Sequence, residues 1–259
     1  MFRTSLFALA AMAASISTSA GAQIVSNGSF ETPVLTEGEA RLFATGASIG
    51  AWTVLGSAGN PVAVFSIHTM YGEASLGVTA FNAQNGLNSL DLTGSFNQGL
   101  ESGVQQTIPT VIGRQYLLSF HVGRASGRSV YATASTVELS IDGGPRAPYT
   151  NSNSTPGAVN WQQFTASFVA TGPTTTLSFY NGQTTNRFSG LDNVVVTPAC
   201  AADITFDGSV NVADLLSVIT SWGPCAAPPC PADIAPVGGD GQVNVADLLA
   251  VITNWGTCP

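Results

Sequence analysis

The chain contains no lysine; its seven basic residues are all arginine, set against 15 acidic ones. A nucleic-acid binder needs clustered cations to displace counterions from phosphates, and 259 residues with a formal charge of −8 offer no such cluster. Charged residues make up only 8% of the chain while 44% is hydrophobic, which excludes a disordered, charge-solvated polypeptide. Cysteine is missing from 23–197, and no apolar run approaches the roughly 20 residues that span a bilayer. What is abundant is glycine, with 28 copies, together with Ser, Thr and Asn, a composition that favours turns and short strands over long helices.

Residues 1–22 read as an export signal. Arg3 charges a short leading region, Leu6 to Ala14 are apolar, and Ala20-Gly21-Ala22 supply small residues for cleavage, so the mature chain is expected to begin at Gln23. Export permits disulfides. A composition break near Pro198 then separates two domains, 23–197 and 200–259. The first carries nine acidic and six basic residues; the second carries four cysteines, six aspartates and no basic residue.

The first domain has the period-2 patterning of β-strands. Tyr116, Leu118, Phe120 and Val122 share one face, Thr136 to Ile141 repeat the alternation up to a turn at Asp142-Gly143-Gly144, and Phe164/Phe168 and Leu177/Phe179 continue it. Leu191 to Val196 close the domain. Nothing here holds helical spacing over three turns, so two packed sheets are expected.

Several segments carry a resemblance: Asn27-Gly28-Ser29-Phe30-Glu31, Ala51-Trp52-Thr53-Val54, Leu90-Asp91-Leu92, Gly113 to Phe120, Trp161 to Phe168 and Gly190-Leu191-Asp192-Asn193-Val194. Together this pattern is similar to secreted galactose-binding-like jelly rolls, a group that includes carbohydrate-binding modules. The resemblance implies a non-catalytic β-sandwich, often sugar-binding. Sugar faces stack on exposed rings and sugar hydroxyls need planar polar partners, so Tyr131, Tyr149, Trp52 and Tyr71 are the aromatic candidates for a polysaccharide, with Arg124, Arg128, Asn151 and Gln183 beside them. Trp161 and Phe164, by contrast, fit the core. Related modules often hold a structural calcium, and Glu31 and Asp192, expected on neighbouring first and last strands, are its candidate ligands.

Enzyme signatures mostly fail. Gly46-Ala47-Ser48-Ile49-Gly50 has the letters of a nucleophile elbow without its strand and helix. His68 and His121 are the only histidines, and Glu73, Asp91, Glu101 and Glu138 are scattered singly. The chain is expected not to be an enzyme.

The second domain is an internal repeat offset by 33 residues: Asn211 to Leu216 return as Asn244 to Leu249, Trp222-Gly223 as Trp255-Gly256, and Cys225 as Cys258. Each copy has the spacing of a calcium loop running into a helix. Asp203, Thr205, Asp207, Ser209, Asn211 and Asp214 fall at loop positions 1, 3, 5, 7, 9 and 12, with Gly208 at the sharp turn. The second copy has Asp240, Gly241, Gln242, Asn244 and Asp247, but its leading Asp233 lies seven residues before Asp240, so the intervening segment must bulge. Asx-turns and helix caps without a metal are the competing account of the same residues. Val212, Leu215, Leu216, Ile219 and Trp222 then form an apolar helical stripe.

Two such units resemble type I dockerin modules. The resemblance implies bound Ca²⁺ and docking to a cohesin-like domain on a scaffold or cell surface, with Val212-Ala213 and Val245-Ala246 at the partner-selecting positions. Of three pairings of Cys200, Cys225, Cys230 and Cys258, two respect the repeat: Cys200–Cys225 with Cys230–Cys258, or Cys200–Cys258 with Cys225–Cys230. Antiparallel units that bring the module's ends together favour the latter. The expected whole is mainly β: a jelly-roll sandwich followed by a small helical dockerin-like module, on a secreted protein without a transmembrane segment.

Overall fold

A computed structural model describes residues 24–258, except 58, 60, 67–68, 74–76, 94–99, 128–130, 132, 183–187, 227–229 and 237–238; of 69–73 and 77–78 it describes the backbone only. Residues 1–22, read above as an export signal, together with His68, Arg128, Gln183 and the side chains of Tyr71 and Glu73, lie outside these residues. In chain order the strands are β1 (Ala40–Phe43), β2 (Ser48–Ile49), β3 (Trp52–Gly56), β4 (Val62–Ser66), β5 (Thr69–Glu73), β6 (Gly77–Phe81), β7 (Asn88–Asp91), β8 (Ser102–Pro109), β9 (Gln115–Ala125), β10 (Ser135–Ile141), β11 (Ala147–Asn151), β12 (Val159–Val169), β13 (Thr174–Asn181) and β14 (Gly190–Pro198).

Apart from the β5–β6 hairpin, they form two six-stranded antiparallel sheets, ordered β1-β4-β7-β14-β9-β12 and β11-β10-β13-β8-β3-β2. Successive long strands alternate between the sheets: β7, β9, β12 and β14 belong to the first, β8, β10 and β13 to the second. That alternation is the jelly-roll sandwich the sequence pattern implies. The alternating residues meet between the sheets, where Leu118, Phe120, Val122, Val137, Leu177, Phe179 and Leu191 are buried in one core.

The Asn27-Gly28-Ser29-Phe30 motif is structural. Phe30 closes a turn onto the Asn27 carbonyl (3.1 Å) and packs its ring on Trp52 (5.7 Å between centroids). Gly28 is required by proximity, since a Cβ there would lie 2.1 Å from the Val194 carbonyl oxygen. Opposite it, β14 is interrupted by a bulge between Asp192 and Val195, with Asn193 at φ +50°. The bulge lets Leu191, Val194 and Val196 all turn inward.

Residues 200–258 have their own core of Ala202, Ile204, Val210, Val218 and their repeat counterparts Ala232, Ile234, Val243 and Val251. Its helices are α1 (Val212–Thr220) and α2 (Val245–Thr253). Four two-residue strands interlock the copies: β15 (Ser209–Val210) pairs with β18 (Gly256–Thr257), and β16 (Gly223–Pro224) with β17 (Gln242–Val243). Each loop is therefore closed by the segment after the other copy's helix. Disulfides Cys200–Cys258 and Cys225–Cys230 pin the two crossings. No helix among the described residues is long and apolar enough to cross a membrane.

Candidate functional site

The two loops of the C-terminal repeat share one hydrogen-bond scheme. Asp203 accepts the N–H groups of Asp207 (3.2 Å) and Gly208 (3.0 Å), and Asp207 accepts that of Ser209 (2.9 Å). Asn211 caps α1 by accepting from Ala213 (2.8 Å), while its amide donates to Asp207 (2.8 Å). Asp214 is wholly buried. One of its oxygens accepts Ile204 N–H (2.7 Å), Thr205 N–H (2.9 Å) and the Thr205 hydroxyl (3.0 Å); the other accepts Asn211 N–H (2.8 Å). Burial works against its charge, but these donors outweigh it and hold the carboxyl below the usual range.

The second copy repeats this arrangement. Asp247 accepts from Ile234, Ala235 and Asn244, Asn244 caps α2 through Ala246, and Asp240 accepts from Gln242. Asp233 accepts from Asp240 and Gly241 across the longer loop.

As a donor set for calcium, Asp203, Asp207 and Asn211 match a hard cation in kind. The position-12 aspartates do not sit ready for it: both oxygens of Asp214 and of Asp247 already hold N–H groups. Among the described residues, the triads of Cys, His, Asp and Glu donors within 4.8 Å are Cys200/Asp203/Cys258 and Cys225/Cys230/Asp233, whose sulfurs are in disulfides. The hydrogen bonds of the loops include Asx-turns and helix caps.

The helical stripe faces outward. Val212, Leu216, Ile219 and Trp222 are 50–58% exposed, as are Val245, Leu249, Ile252 and Trp255 at 51–57%. Only Asp214 and Val218 of α1 are buried, with Leu215 partly so. An apolar helix face normally reports the core; here the small core is filled from the loops, and the face is left uncovered. Ala213 and Ala246 lie exposed beside it.

Most sugar-stacking candidates of the sandwich are corrected by burial. Trp52 is fully buried and its Nε1–H donates to the Asn27 carbonyl (3.0 Å), so it is core. Tyr149 is partly buried, edge-to-face with Phe120 and Phe164. Tyr131 packs on a second apolar cluster. Asn151 is buried, donating to the Val122 and Asn160 carbonyls. Tyr180, half-buried like Tyr131 and Tyr149, lies on the outward face of the second sheet. Arg146 lies over it (3.5 Å to the centroid) and pairs with Glu101 (2.7 Å) and Glu138 (3.7 Å). Sequence reading missed this cluster because cross-strand register, Glu138 opposite Tyr180, assembles it.

The outward face of the first sheet holds the carboxyls. Glu31 is not on a strand; the first strand is β1, at the sheet's edge, and β14 neighbours β7 and β9 instead. Glu31 and Asp192 nevertheless approach one another by gripping the same loop: Asp192 accepts from Gln84 (2.7 Å) and Asn85 (3.1 Å), Glu31 from Leu87 and Asn88 (both 2.9 Å). Burial, with Glu31 adding repulsion, pushes Asp192 up to about 7. In register beside Asp192 lies His121 on β9, and on β7, the neighbour of β14 on its other side, is Asp91, which accepts from Thr93 and Ser189. Burial likewise raises Asp91 to about 7. Next to these carboxyls, Phe65, Phe81, Phe188, Tyr131 and Trp161 form the second apolar cluster, seated over Gly123 and Gly190.

The chain belongs to the HpiC1-like family: the family model, described as HpiC1 cyclase, matches residues 22–197. Similar solved structures include TmCBM61 in complex with β-1,4-galactotriose, at 13% identity and TM-score 0.40 over 68% of this chain and 98% of that one. The CBM22-1 xylan-binding domain of Paenibacillus barcinonensis Xyn10C aligns at 14% identity and TM-score 0.33, covering 63% and 94%. A CBM4 structure aligns at 18% and 0.31, covering 67% and 98%. No curated protein matches the chain.

Proposed function

We propose that this is an exported, non-catalytic protein whose sandwich recognises carbohydrate and whose C-terminal repeat docks it, with calcium, onto a cohesin-like domain of a scaffold or cell surface. The observation that carries the docking reading is the pair of uncovered stripes on α1 and α2. Exposed contiguous apolar surface of this kind marks an interaction site. Because the stripes are copies, one partner surface can be met in either of two orientations.

Calcium would be held by Asp203, Asp207, Asn211 and the Ser209 carbonyl, with the equivalent Asp233, Asp240, Asn244 and Gln242 in the second copy. It would supply the neutralisation that a loop of aspartates lacks. The carbohydrate reading rests on the second sheet's outward face, where Tyr180, Arg146, Glu138 and Glu101 combine a ring with planar polar groups.

Pull-down of a purified cohesin domain by the full chain tests the docking. Capture should need calcium and be lost when Leu216→Asp and Leu249→Asp are combined; capture indifferent to both would sink it. A glycan array probed with the full chain tests the sandwich, and silence across all glycans would leave it a passive structural element.

A second reading is favoured by Asp91 and Asp192, both pushed up to about 7 by burial beside an aromatic cluster. A carboxyl kept neutral in an apolar setting is a general acid in waiting, and the family is named for a cyclase. Carbon-13 NMR of the aspartate carboxyls checks it: midpoints near 7 support an acid-catalysed ring closure, whereas ordinary midpoints near 4 remove it.

A further inference from the structure

The two copies of the C-terminal repeat are joined crosswise. Trp222 follows α1 and leads into Gly223-Pro224, which pair with Val243 and Gln242 of the second loop. Trp255 follows α2 and leads into Gly256-Thr257, which pair with Val210 and Ser209 of the first. At each crossing a glycine with positive φ, Gly223 at +118° and Gly256 at +131°, turns the chain from the tryptophan directly into the strand.

Two further links reinforce each crossing. Cys225 N–H donates to the carbonyl of Gly241, the turn glycine of the second loop (2.9 Å), and Cys258 N–H to that of Gly208 in the first (3.0 Å). The disulfides then tie Cys225 to Cys230, at the head of the second loop, and Cys258 to Cys200, at the head of the first.

Within a copy the path is longer. The first loop reaches Trp222 only through the nine residues of α1, about 14 Å at 1.5 Å per residue, and the second reaches Trp255 through the same length of α2. Across the copies a single peptide bond separates each tryptophan from a strand paired with a loop. The loop carbonyls offered to calcium, those of Ser209 and Gln242, belong to the loop strands at these crossings. Both rings end the uncovered stripes, at 50% and 51% exposure. Tryptophans in that setting are the usual anchors of an interface.

We infer that each loop governs the tryptophan of the opposite copy: an ion in the first loop fixes Trp255, and an ion in the second fixes Trp222. The surface offered to the cohesin-like domain is then built from one copy's helix and the other copy's loop, and neither copy alone presents a complete one. This rests on the calcium-dependent docking reading, but it is measured without a partner.

Calcium alone is the probe, titrated into the full chain while NMR follows the indole N–H resonances of Trp222 and Trp255, assigned by their absence in Trp222→Phe and Trp255→Phe. Asp207→Asn and Asp240→Asn each remove one loop charge but keep the oxygen that accepts Ser209 or Gln242 N–H, so both loops should stay folded. Asp207→Asn should raise the calcium midpoint read at Trp255 by about tenfold and move that at Trp222 far less, and Asp240→Asn should do the reverse. The uncrossed result, with Asp207→Asn acting on Trp222, overturns the inference. Equal effects on both rings do the same, as do indoles that stay still while calorimetry records calcium binding. Calorimetry without calcium uptake removes the calcium reading and this inference together, whereas capture of the cohesin domain bears on the docking reading alone.

Discussion

Asp203 and Asp233 hold their loops in the same way although their loops differ in length. Asp203 accepts from residues four and five positions ahead, Asp233 from residues seven and eight ahead, and in each pair the second donor is the turn glycine. The added residues of the second loop are absorbed before Asp240, where Gly239 at φ +78° donates to the Pro236 carbonyl (2.7 Å). The repeat therefore preserves a hydrogen-bond scheme rather than a length.

That scheme predicts unequal glycines. A Cβ on Gly239 would lie 2.5 Å from an Asp233 oxygen, whereas one on Gly208 meets nothing within 4 Å. Gly208→Ala should cost only the left-handed backbone term of about 1–2 kcal/mol. Gly239→Ala should cost more, and chemical denaturation of the two variants will rank them.

Removing a position-12 aspartate leaves several buried donors without a partner. Asp214→Ala should destabilise the C-terminal repeat by about 2–4 kcal/mol, and Asp214→Asn by less, because one oxygen remains to accept. Amide exchange at Ile204, Thr205 and Asn211 should speed up selectively.

The two domains should respond to pH with opposite sign. Asp214, held below its usual range, contributes stability that is present at neutral pH and lost as pH falls through its folded-state value. Asp91 and Asp192, raised to about 7, bind protons more tightly folded than unfolded, so the sandwich loses stability as pH rises from about 4 to about 7. Asp91→Asn should raise the sandwich's melting temperature at pH 8 and leave it little changed at pH 4. Equal effects at both would contradict the assignment.

The disulfides should matter unequally. Cys200–Cys258 spans 58 residues and Cys225–Cys230 only 5. Chain-entropy arithmetic gives about 4 kcal/mol for the long closure and about 2 for the short one. Paired Cys→Ser variants, compared by thermal melting, should follow that order.

On the first sheet, Trp161 lies across Gly123 and Gly190, where an added Cβ would come within 2.6 and 2.9 Å of the indole. Gly190→Ala would also meet Phe188 at 2.8 Å and should cost about 1–3 kcal/mol by overpacking. A variant as stable as the parent would show that the aromatic cluster is loose.

Much of the architecture was legible. Tyr116 to Val122 and Leu177 with Phe179 announce strands because side chains alternate faces every residue, and the two interior faces recover that alternation directly. The repeat and its turn glycines were equally plain, since they are local patterns, whereas Asn211 and Asn244 were read as loop ligands with capping only as the competing account. Trp52 was not legible: whether a ring at a strand start stacks on sugar or fills a core depends on what arrives opposite, here Phe30 and Phe179. Glu31 reached Asp192 without being on a strand, through a loop that no spacing rule reveals.

By itself the sequence determined the secondary-structure classes, the break near Pro198 and the doubled unit that follows it, because periodicity, turn residues and capping act over a few positions. Only the tertiary structure decided which way the α1 and α2 stripes face, which carboxyls lie buried together, and that each loop pairs with the segment after the other copy's helix. Those outcomes depend on contacts between segments distant along the chain, where burial and desolvation, rather than local pattern, set the free energy.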